Sequence, residues 1–489
     1  MKRPSKPAGT RWSVISIALL AFLLAAAGCG SGNRRPNLPR IFPAEQTARR
    51  TGKPPIIFIP GILGSELVDQ QSGQRLWPEL FPKNPAALEL PITSLKFPEN
   101  RDEVVASRII ESTQLIRILP EVGVYGDLLE SLEKYGGYRR GDIDAPAPGG
   151  DHDTFYLFAY DWRRDNVESA KRLGEKITRI KERLNRPDLR FDIIAHSMGG
   201  LVARYFAMYG ERDAAEGAEP RPDWCGARHI HRLVMFGTPN AGSMDALRSL
   251  LRGYSVTEAN KPRLRLFRAL DRGMIFSAPS VYQLLPRNHA ARFYDADLAP
   301  ISIDLFDAGT WKKNGWTAAY DTAFLASERR SLTHRLGPAK GAAEFEQRAQ
   351  NRERYLRAAL SRAAAFHRAL DAPGAAPGNL RLHIFGGDCN PTLAGGLILG
   401  GTTAPRTLFY PGNIPRGLRR RAYDLIFLPG DGRVTRQSLF GLTLSDKEPI
   451  PAMKQALDHV MFGCEDHGDL PINPTIINNL LTLLLGNKY

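Results

Sequence analysis

One short stretch, residues 191–205, constrains the fold of this chain more than any other. It reads FDIIAHSMGG and then LVARY, so an apolar run ends in small residues around Ser197 and helix-forming residues follow at once. This order predicts a strand, a sharp turn and a helix, the arrangement known as a nucleophile elbow. Such a turn is strained, so the positions two before and two after the serine must be small, as Ala195 and Gly199 are. The serine hydroxyl would stand at the positive end of a helix, where negative charge is stabilised.

A serine at an elbow needs partners to act as a nucleophile. It requires a base within hydrogen-bond reach and a group that orients this base. In α/β-hydrolases the chain order is serine, acid, histidine, each after a strand. Asp431 in a Gly-Asp-Gly turn and His467 beyond the last strand fit this order, and with Ser197 they are the predicted catalytic residues. Asp388 is a rival acid and His459 a rival base.

The negative charge that forms during acyl transfer needs two backbone N–H donors. The residue after the nucleophile, Met198, supplies one of them. The Ile-Pro-Gly-Ile turn that follows the first apolar run supplies the other through the N–H of Ile62. We therefore predict an oxyanion hole at Ile62 and Met198.

Apolar runs alternate with helical patterns along the chain. The predicted strands lie at 54–65, 154–160, 191–196, 231–240, 380–387, 422–428 and 458–462. A 3.6-residue period predicts helices at 167–184 and 474–485. Strands that alternate with helices indicate an α/β fold, with a mostly parallel central sheet and helices on both faces.

At 489 residues the chain is long for one simple domain, which favours a large core with insertions or two domains. We assign the core to 54–243 and 379–489, with a cap or lid segment at about 66–150. Residues 244–378 interrupt the strand–helix rhythm and are predicted to form an inserted helical cap. This cap either covers the core with ordinary amphipathic helices, or it shapes an acyl-chain pocket or lies on a membrane.

The N-terminus has the pattern of a targeting segment. Four basic residues precede an apolar run that is too short for a comfortable transmembrane helix. The run ends in small residues before Cys29, which resembles a bacterial lipobox. We predict a lipoprotein signal peptide at 1–28, lipidation of Cys29 and a polar tether at 29–53. The alternative to lipidation is ordinary signal-peptide cleavage after Ala27. For a lipoprotein, Gly30 directly after the cysteine favours sorting to the outer membrane. We expect an exported protein that is lipid-anchored in the bacterial cell envelope, at the periplasmic face of the outer membrane.

The formal net charge of +15 narrows the classes of partner. A basic excess suits nucleic acid or anionic lipid. An exported chain meets no genome, so we expect a membrane surface and no nucleic acid; a merely arginine-rich composition is the alternative. The cysteines lack zinc-site spacing, so no metal and no cofactor are expected.

Taken together, these motifs resemble the lecithin:cholesterol acyltransferase family, which includes lysosomal phospholipase A2 and phospholipid:diacylglycerol acyltransferases. The matching pieces are residues 59–67, Trp77, 160–163, 195–200, 237–239, 430–434 and His467. The resemblance covers most of 54–243 and 380–486. It implies an α/β-hydrolase fold, with Ser197 as nucleophile, Asp431 as acid and His467 as base, and with Ile62 and Met198 as oxyanion donors.

The resemblance also implies roles for a group of aromatic and charged residues. Trp77 would lie on a lid loop near the acyl site, and Asp161, Trp162 and Arg163 would support the site. All four could equally be buried structural residues.

The chain departs from the family pattern at two motif positions. Ala195 stands where the elbow usually has Gly, and Arg433 stands where Gly-Asp-Gly-Thr-Val has Thr. The cysteine-bridged lid of the animal enzymes has no counterpart before Cys225. Cys389 and Cys464 both follow late strands that we expect to be adjacent, so we predict a disulfide between them.

The expected function is that of a serine-dependent lipid acyl hydrolase or acyltransferase acting on ester lipids. The acyl donor would be a phospholipid, and the acyl-enzyme would pass its chain to water or to an alcohol. A general carboxylesterase or triglyceride lipase is one alternative, and a non-catalytic lipid-binding envelope lipoprotein is another. We expect a monomer.

Overall fold

The structure is a computed structural model, and it describes most of the chain after the N-terminus. The described residues are 35–43, 45–46, 50–79, 85–111, 125–216, 219–254, 270–287, 290–400, 405–442 and 451–486. The predicted signal peptide 1–28 and Cys29 lie outside them. Within these ranges, no helix is long and apolar enough to cross a membrane.

The centre of the molecule is a seven-stranded sheet in the order β16-β11-β8-β7-β1-β6-β5. Every neighbouring pair in it is parallel. Its strands are β1 (Ile56–Ile59), β5 (Arg139–Gly141), β6 (Thr154–Leu157), β7 (Phe191–His196), β8 (Ile230–Phe236), β11 (Arg381–Gly387) and β16 (Leu457–Gly463). This confirms the predicted α/β class with a mostly parallel sheet.

Helices cover both faces of this sheet. The described helices are α1 (Leu38–Ile41), α2 (Gly126–Lys134), α3 (Asn166–Arg183), α4 (Met198–Tyr209), α5 (Met244–Arg252), α6 (Arg272–Ser277), α7 (Pro279–Tyr282), α8 (Ala308–Lys313), α9 (Thr317–Tyr320), α10 (Thr322–Leu336), α11 (Pro338–Asp371), α12 (Arg419–Ile426), α13 (Arg436–Leu439), α14 (Pro451–Ala456) and α15 (Pro474–Leu485). Apolar side chains of α3 and α4 pack on one face, and those of α2 and α15 pack on the other.

The inner strands are buried on both faces, and their sequences reflect this. All residues of β1 and β7 are buried, and apolar side chains dominate both strands. The two strands pair in register, with Ile59 opposite Ala195. Because they are parallel, the turn after β1 and the elbow after β7 emerge at the same edge of the sheet.

The described residues also form three smaller sheets outside the central one. Their strands are β2 (Ser65–Asp69), β3 (Arg75–Trp77), β4 (Val104–Ile109), β9 (Arg292–Tyr294), β10 (Pro300–Ile301), β12 (Asn390–Leu393), β13 (Gly395–Leu399), β14 (Arg406–Leu408) and β15 (Phe427–Gly430). The predicted lid segment at 66–150 contains the antiparallel sheet β3-β2-β4 together with helix α2 and strand β5 of the central sheet.

The strand predicted at 422–428 was wrong. Residues 419–426 form α12, and the strand begins only at Phe427. Ala422 and Ile426 are the buried residues of this segment, and their spacing of four is helical. The strand that follows, β15, pairs with β12 in a two-stranded antiparallel sheet outside the central one.

Candidate active site

Ser197 occupies the turn between β7 and α4 with φ 52° and ψ −125°. A residue other than glycine rarely adopts a positive φ, and such strain concentrates at functional sites. Its amide donates to the carbonyl of Phe236 on the neighbouring strand, at 2.7 Å. The turn is also crowded, since a Cβ on Gly61 would lie 2.9 Å from the Cβ of Ser197. The sequence stretch 191–205 therefore folds as a strained strand–turn–helix.

Three side chains that are distant in sequence meet at this turn. The Oγ of Ser197 lies 2.9 Å from Nε2 of His467, and Nδ1 of His467 lies 2.8 Å from Oδ2 of Asp431. Ser197 and Asp431 are only 6 % and 2 % exposed. The contacts fit a tautomer in which Nδ1–H donates to the carboxylate and Nε2 accepts from the serine hydroxyl. This arrangement can activate a serine.

The carboxylate of Asp431 is fixed by the turn that carries it. Its Oδ1 accepts hydrogen bonds from the amides of Arg433 and Val434, at 2.9 and 2.7 Å. Its carbonyl accepts the amide of His467 at 2.9 Å, so the acid and base loops are tied together. The turn that carries Asp431 follows β15, a strand of the small two-stranded sheet. The sequence predicts instead that it follows a strand of the central sheet.

The rival residues lie elsewhere. Asp388 follows β11, as expected, but its carboxylate lies 3.6 Å from the guanidinium of Arg436. His459 is an exposed residue of the edge strand β16, with its ring near Phe385. The structure thus brings together Ser197, Asp431 and His467 and leaves these two apart.

The two backbone amides predicted to bind an oxyanion belong to Met198 and Ile62. Met198 is the first residue of α4, so its N–H points out of the helix N-terminus beside Ser197. Ile62 lies in the turn after β1, and it lines the same cavity as Ser197. Among the described residues, neither amide donates to a protein acceptor.

The serine opens onto a mostly apolar cavity that is continuous with solvent. Its apolar wall is formed by Ile62, Leu63, Pro239, Ala246, Leu270, Ile275, Val281 and Leu284. Helices α5 and α6 and the segment after α7 supply part of this wall, so the first part of the predicted cap at 244–378 shapes the cavity. The described cavity wall contains no residue of α10 or α11.

Two charged side chains, those of Asp245 and Arg433, interrupt the apolar wall. The carboxylate of Asp245 lies 2.6 Å from the guanidinium of Arg433 and 2.9 Å from that of Arg248. Arg433 also lies over the ring of Tyr254, 5.4 Å from its centroid. We refer to Asp245, Arg248 and Arg433 as the Asp245 cluster, in which two guanidinium groups contact one carboxylate. The sequence showed this feature only as the Arg that replaces Thr.

A buried histidine and tyrosine lie behind the serine. The Oη of Tyr125 is 2.9 Å from both the amide nitrogen of Gly61 and Nδ1 of His196. Nε2 of His196 is 3.1 Å from the carbonyl oxygen of His467. Burial lowers the pKa of His196 well below 6.5 and so keeps its ring neutral. Sequence reasoning missed these contacts because Tyr125 lies 72 positions before Ser197 and no motif marks it.

The four residues predicted to support the acyl site are buried at the back of the lid segment. Nε1 of Trp77 donates to the carbonyl of Leu63, and its ring packs edge-on against Trp162. Arg163 forms ion pairs with Asp161 and with Asp102, at 2.7 and 2.6 Å. The described cavity wall includes none of the four, namely Trp77, Asp161, Trp162 and Arg163. They tie the lid segment to the core.

A disulfide joins Cys389 to Cys464, with their Cα atoms 5.1 Å apart. Each follows one of the paired strands β11 and β16. Cys225 is a free thiol. In the described part of the chain, no cluster of three or more metal-ligating side chains occurs.

The parallel sheet, the strained elbow and the contacts among the three side chains define an α/β-hydrolase. The serine, the aspartate and the histidine follow one another in that order along the chain. A model of the lecithin:cholesterol acyltransferase family matches residues 119–324. This match confirms the resemblance predicted from the motifs, and it supports a lipid ester hydrolase or acyltransferase. It includes Ser197 but ends before Asp431 and His467, so these two are selected by geometry.

Solved structures are similar to this chain mainly in fold. A structure of the Tle4–Tli4 complex matches at 14 % identity with a TM-score of 0.51, covering 90 % of this chain and 100 % of the other. Mature lipase BlEst2 of Bacillus licheniformis matches at 13 % identity with a TM-score of 0.28, covering 88 % and 92 %. Lipase 1 of Pelosinus fermentans matches at 13 % identity with a TM-score of 0.34, covering 89 % and 100 %. No curated protein sequence matches the chain.

Proposed function

We propose that this protein is a serine-dependent lipid acyl hydrolase or acyltransferase that works through an acyl-enzyme. The observation that carries the proposal is the hydrogen-bonded series Ser197–His467–Asp431 at the end of an apolar cavity. A non-catalytic lipid-binding protein would not need a serine in a strained conformation with a base at 2.9 Å.

The proposed reaction has two matched steps. Oγ of Ser197 attacks the ester carbonyl carbon while Nε2 of His467 takes its proton, and the amides of Ile62 and Met198 stabilise the oxyanion. His467 then gives the proton to the leaving alcohol as the C–O bond breaks. Water or an acceptor alcohol, deprotonated by His467, then attacks the acyl-enzyme. The bond between Oγ of Ser197 and the acyl carbon breaks, and His467 returns the proton to Oγ.

We further propose that the acyl donor is a phospholipid. The apolar wall of the cavity suits an acyl chain, whose burial is favourable by about 0.8 kcal/mol per methylene. Arg433 in the same wall presents a guanidinium, a group that binds phosphate well. A triglyceride has no phosphate for this guanidinium to bind.

Labelling of the serine tests the mechanism. A fluorophosphonate should label the wild-type protein, and the variant Ser197→Ala should not be labelled. We expect Asp431→Asn to slow labelling by at least 100-fold. The matched control is Asp388→Asn, which should leave the rate of labelling unchanged. Equal labelling of wild type and Ser197→Ala would refute the mechanism.

Product analysis tests the substrate and the acceptor. Purified protein incubated with acyl-labelled phospholipid should release labelled fatty acid, or a labelled ester when an alcohol is added. Release from triglyceride alone would favour the lipase alternative, and lipid binding without release would favour the non-catalytic alternative.

We also propose that the mature protein is a monomer, exported and anchored by a lipid on Cys29. The lipobox-like pattern before Cys29 supports this location. Metabolic labelling with a radioactive fatty acid should mark the wild-type chain and not Cys29→Ala. Absence of label on the wild type would overturn the anchor.

A further inference from the structure

A group of buried hydrogen bonds lies directly behind Ser197, and the proposed reaction makes no use of them. They form one connected series, in which the amide of Gly61, the hydroxyl of Tyr125, the ring of His196 and the carbonyl of His467 follow one another at 2.9, 2.9 and 3.1 Å. Tyr125 is fully buried and His196 is 2 % exposed. Water therefore cannot replace any of these bonds without a rearrangement of the core.

The chemistry of the groups allows one direction for the protons. The amide of Gly61 can only donate, so it donates to Oη of Tyr125. The Tyr125 hydroxyl then donates to Nδ1 of His196, which must be unprotonated. A neutral imidazole carries one proton, so it sits on Nε2, which donates to the carbonyl of His467. Burial raises the pKa of Tyr125 and lowers that of His196, which keeps both groups in these protonation states.

The two ends of the series are parts of the proposed machinery. Gly61 immediately precedes Ile62, whose amide is an oxyanion donor. The carbonyl at the other end belongs to His467, the base. The elbow supplies the middle, since His196 directly precedes Ser197, and α2 of the lid segment follows directly after Tyr125.

We infer that Tyr125 and His196 are positioning residues, which hold the oxyanion turn and the base in fixed positions relative to Ser197. Neither touches the reacting atoms. The inference rests on the proposed serine mechanism, because it assigns these residues to the placement of Ile62 and His467. Catalysis by an oxyanion hole depends on donors that are aimed before the charge forms, and removal of one donor costs about 100-fold or more in rate.

The two arms of the series can be broken separately. Tyr125→Phe removes the acceptor for the amide of Gly61 and leaves the bond from His196 to His467 possible. His196→Asn can still accept from Tyr125 but is too short to reach the carbonyl of His467, whereas His196→Gln can extend an N–H to that carbonyl. The matched control is Tyr156→Phe, which removes a buried hydroxyl bonded to the carbonyl of Gly150, at 2.8 Å and away from the site.

The test compares ester hydrolysis and fluorophosphonate reaction across these four variants, with the midpoint of thermal unfolding as the check on folding. We expect Tyr125→Phe to lower kcat by about 10- to 100-fold, with KM changed less than about twofold and the pH profile of kcat/KM unmoved. We expect His196→Asn to lower kcat and to shift that pH profile, and His196→Gln to restore the profile of the wild type.

Equal rates in Tyr125→Phe and Tyr156→Phe at matched stability would overturn the positioning role. If Tyr125→Phe does not fold, the comparison of His196→Asn with His196→Gln decides alone, and identical pH profiles in the two would overturn it. Failure of the wild type to react with fluorophosphonate would instead overturn the serine mechanism, so the two failures are distinguishable.

Discussion

At the scale of single residues, one charged side chain distinguishes this cavity. Arg433 stands two positions after the acid Asp431, and its own amide helps to hold that carboxylate. Its guanidinium meets Asp245 in the cavity wall, where Arg248 also binds. The residue therefore links the turn that carries Asp431 to the wall of the cavity.

We predict that Arg433→Thr lowers the preference for phospholipid over neutral diglyceride by about tenfold or more. A hydrogen bond to a charged group contributes about 1.5–3 kcal/mol, and 1.4 kcal/mol is a factor of ten. Asp245 would keep Arg248 as a partner, so the fold should survive. The measurement is kcat/KM for the two lipids in the same micelles.

The control for this prediction is Arg436→Gln. Arg436 lies three positions further along, over the ring of Phe462, and the described cavity wall does not include it. It should leave the preference unchanged. A preference that is the same in wild type, Arg433→Thr and Arg436→Gln would remove the assigned role of Arg433 in recognising phosphate.

At the scale of elements, the acid and the base come from the same edge of the sheet by different routes. His467 follows β16 directly, whereas Asp431 is reached only after an excursion from β11 through the small sheets to β15. The disulfide Cys389–Cys464 closes this excursion at its base, where β11 and β16 end side by side. It therefore constrains both loops that carry the triad partners.

We predict that the double variant Cys389→Ser, Cys464→Ser is destabilised by about 4 kcal/mol. The cysteines are 75 positions apart, and the loss of loop-closure restraint in the unfolded chain for such a loop is of this size. We also expect a lower kcat, because Cys464 lies three residues before His467. Urea unfolding of oxidised protein measures the first effect. Cys225→Ser, which alters the free thiol, should change stability by far less; equal losses would contradict the prediction.

At the scale of the whole molecule, two buried histidines and a half-buried one make the fold sensitive to acid. Burial lowers the pKa of His229 and His383 to about 4 and that of His367 to about 3. The unfolded chain binds protons at these positions near the ordinary value of 6.5. Their contribution to stability is therefore fully present above about pH 6.5 and is lost as the pH falls toward 4.

We predict that the free energy of unfolding decreases steadily between pH 6.5 and pH 4. Each such histidine contributes up to about 1.4 kcal/mol per pH unit in this window. Urea midpoints at pH 7.5, 6 and 5 measure the slope. His383→Leu should flatten it, because one group that must titrate on unfolding is removed, while the exposed control His459→Leu should not. A slope unaffected by His383→Leu would contradict this assignment.

The local chemistry of the site could be predicted from the sequence because it depends on short-range rules. The elbow needs small residues at fixed offsets from Ser197, and each strand shows its burial as an apolar run. Parallel strands bring their carboxyl ends to one edge, which predicted that Ser197 and His467 could meet. Asp431 was predicted from its Gly-Asp-Gly turn and its place in the chain order, with Asp388 as a rival. The pairing of Cys389 with Cys464 followed from the same rule for parallel strands.

The true structure of residues 422–428 and the packing of Trp77 could not be predicted from local sequence patterns. Ala422 and Ile426 lie in a short apolar segment whose period is ambiguous, and packing made it a helix. Trp77 turns inward to Leu63 and Trp162, a contact with no sequence signal.

The sequence by itself determined the class of the fold and a short set of candidate site residues, since these follow from periodicity, turn chemistry and chain order. Only the tertiary structure decided that Asp431 and not Asp388 meets His467, that Arg433 enters the cavity wall, and that Tyr125 and His196 join the oxyanion turn to the base. These contacts join residues up to 271 positions apart in the sequence. Their formation depends on how the inserted segments pack on the sheet, and no local pattern encodes that packing.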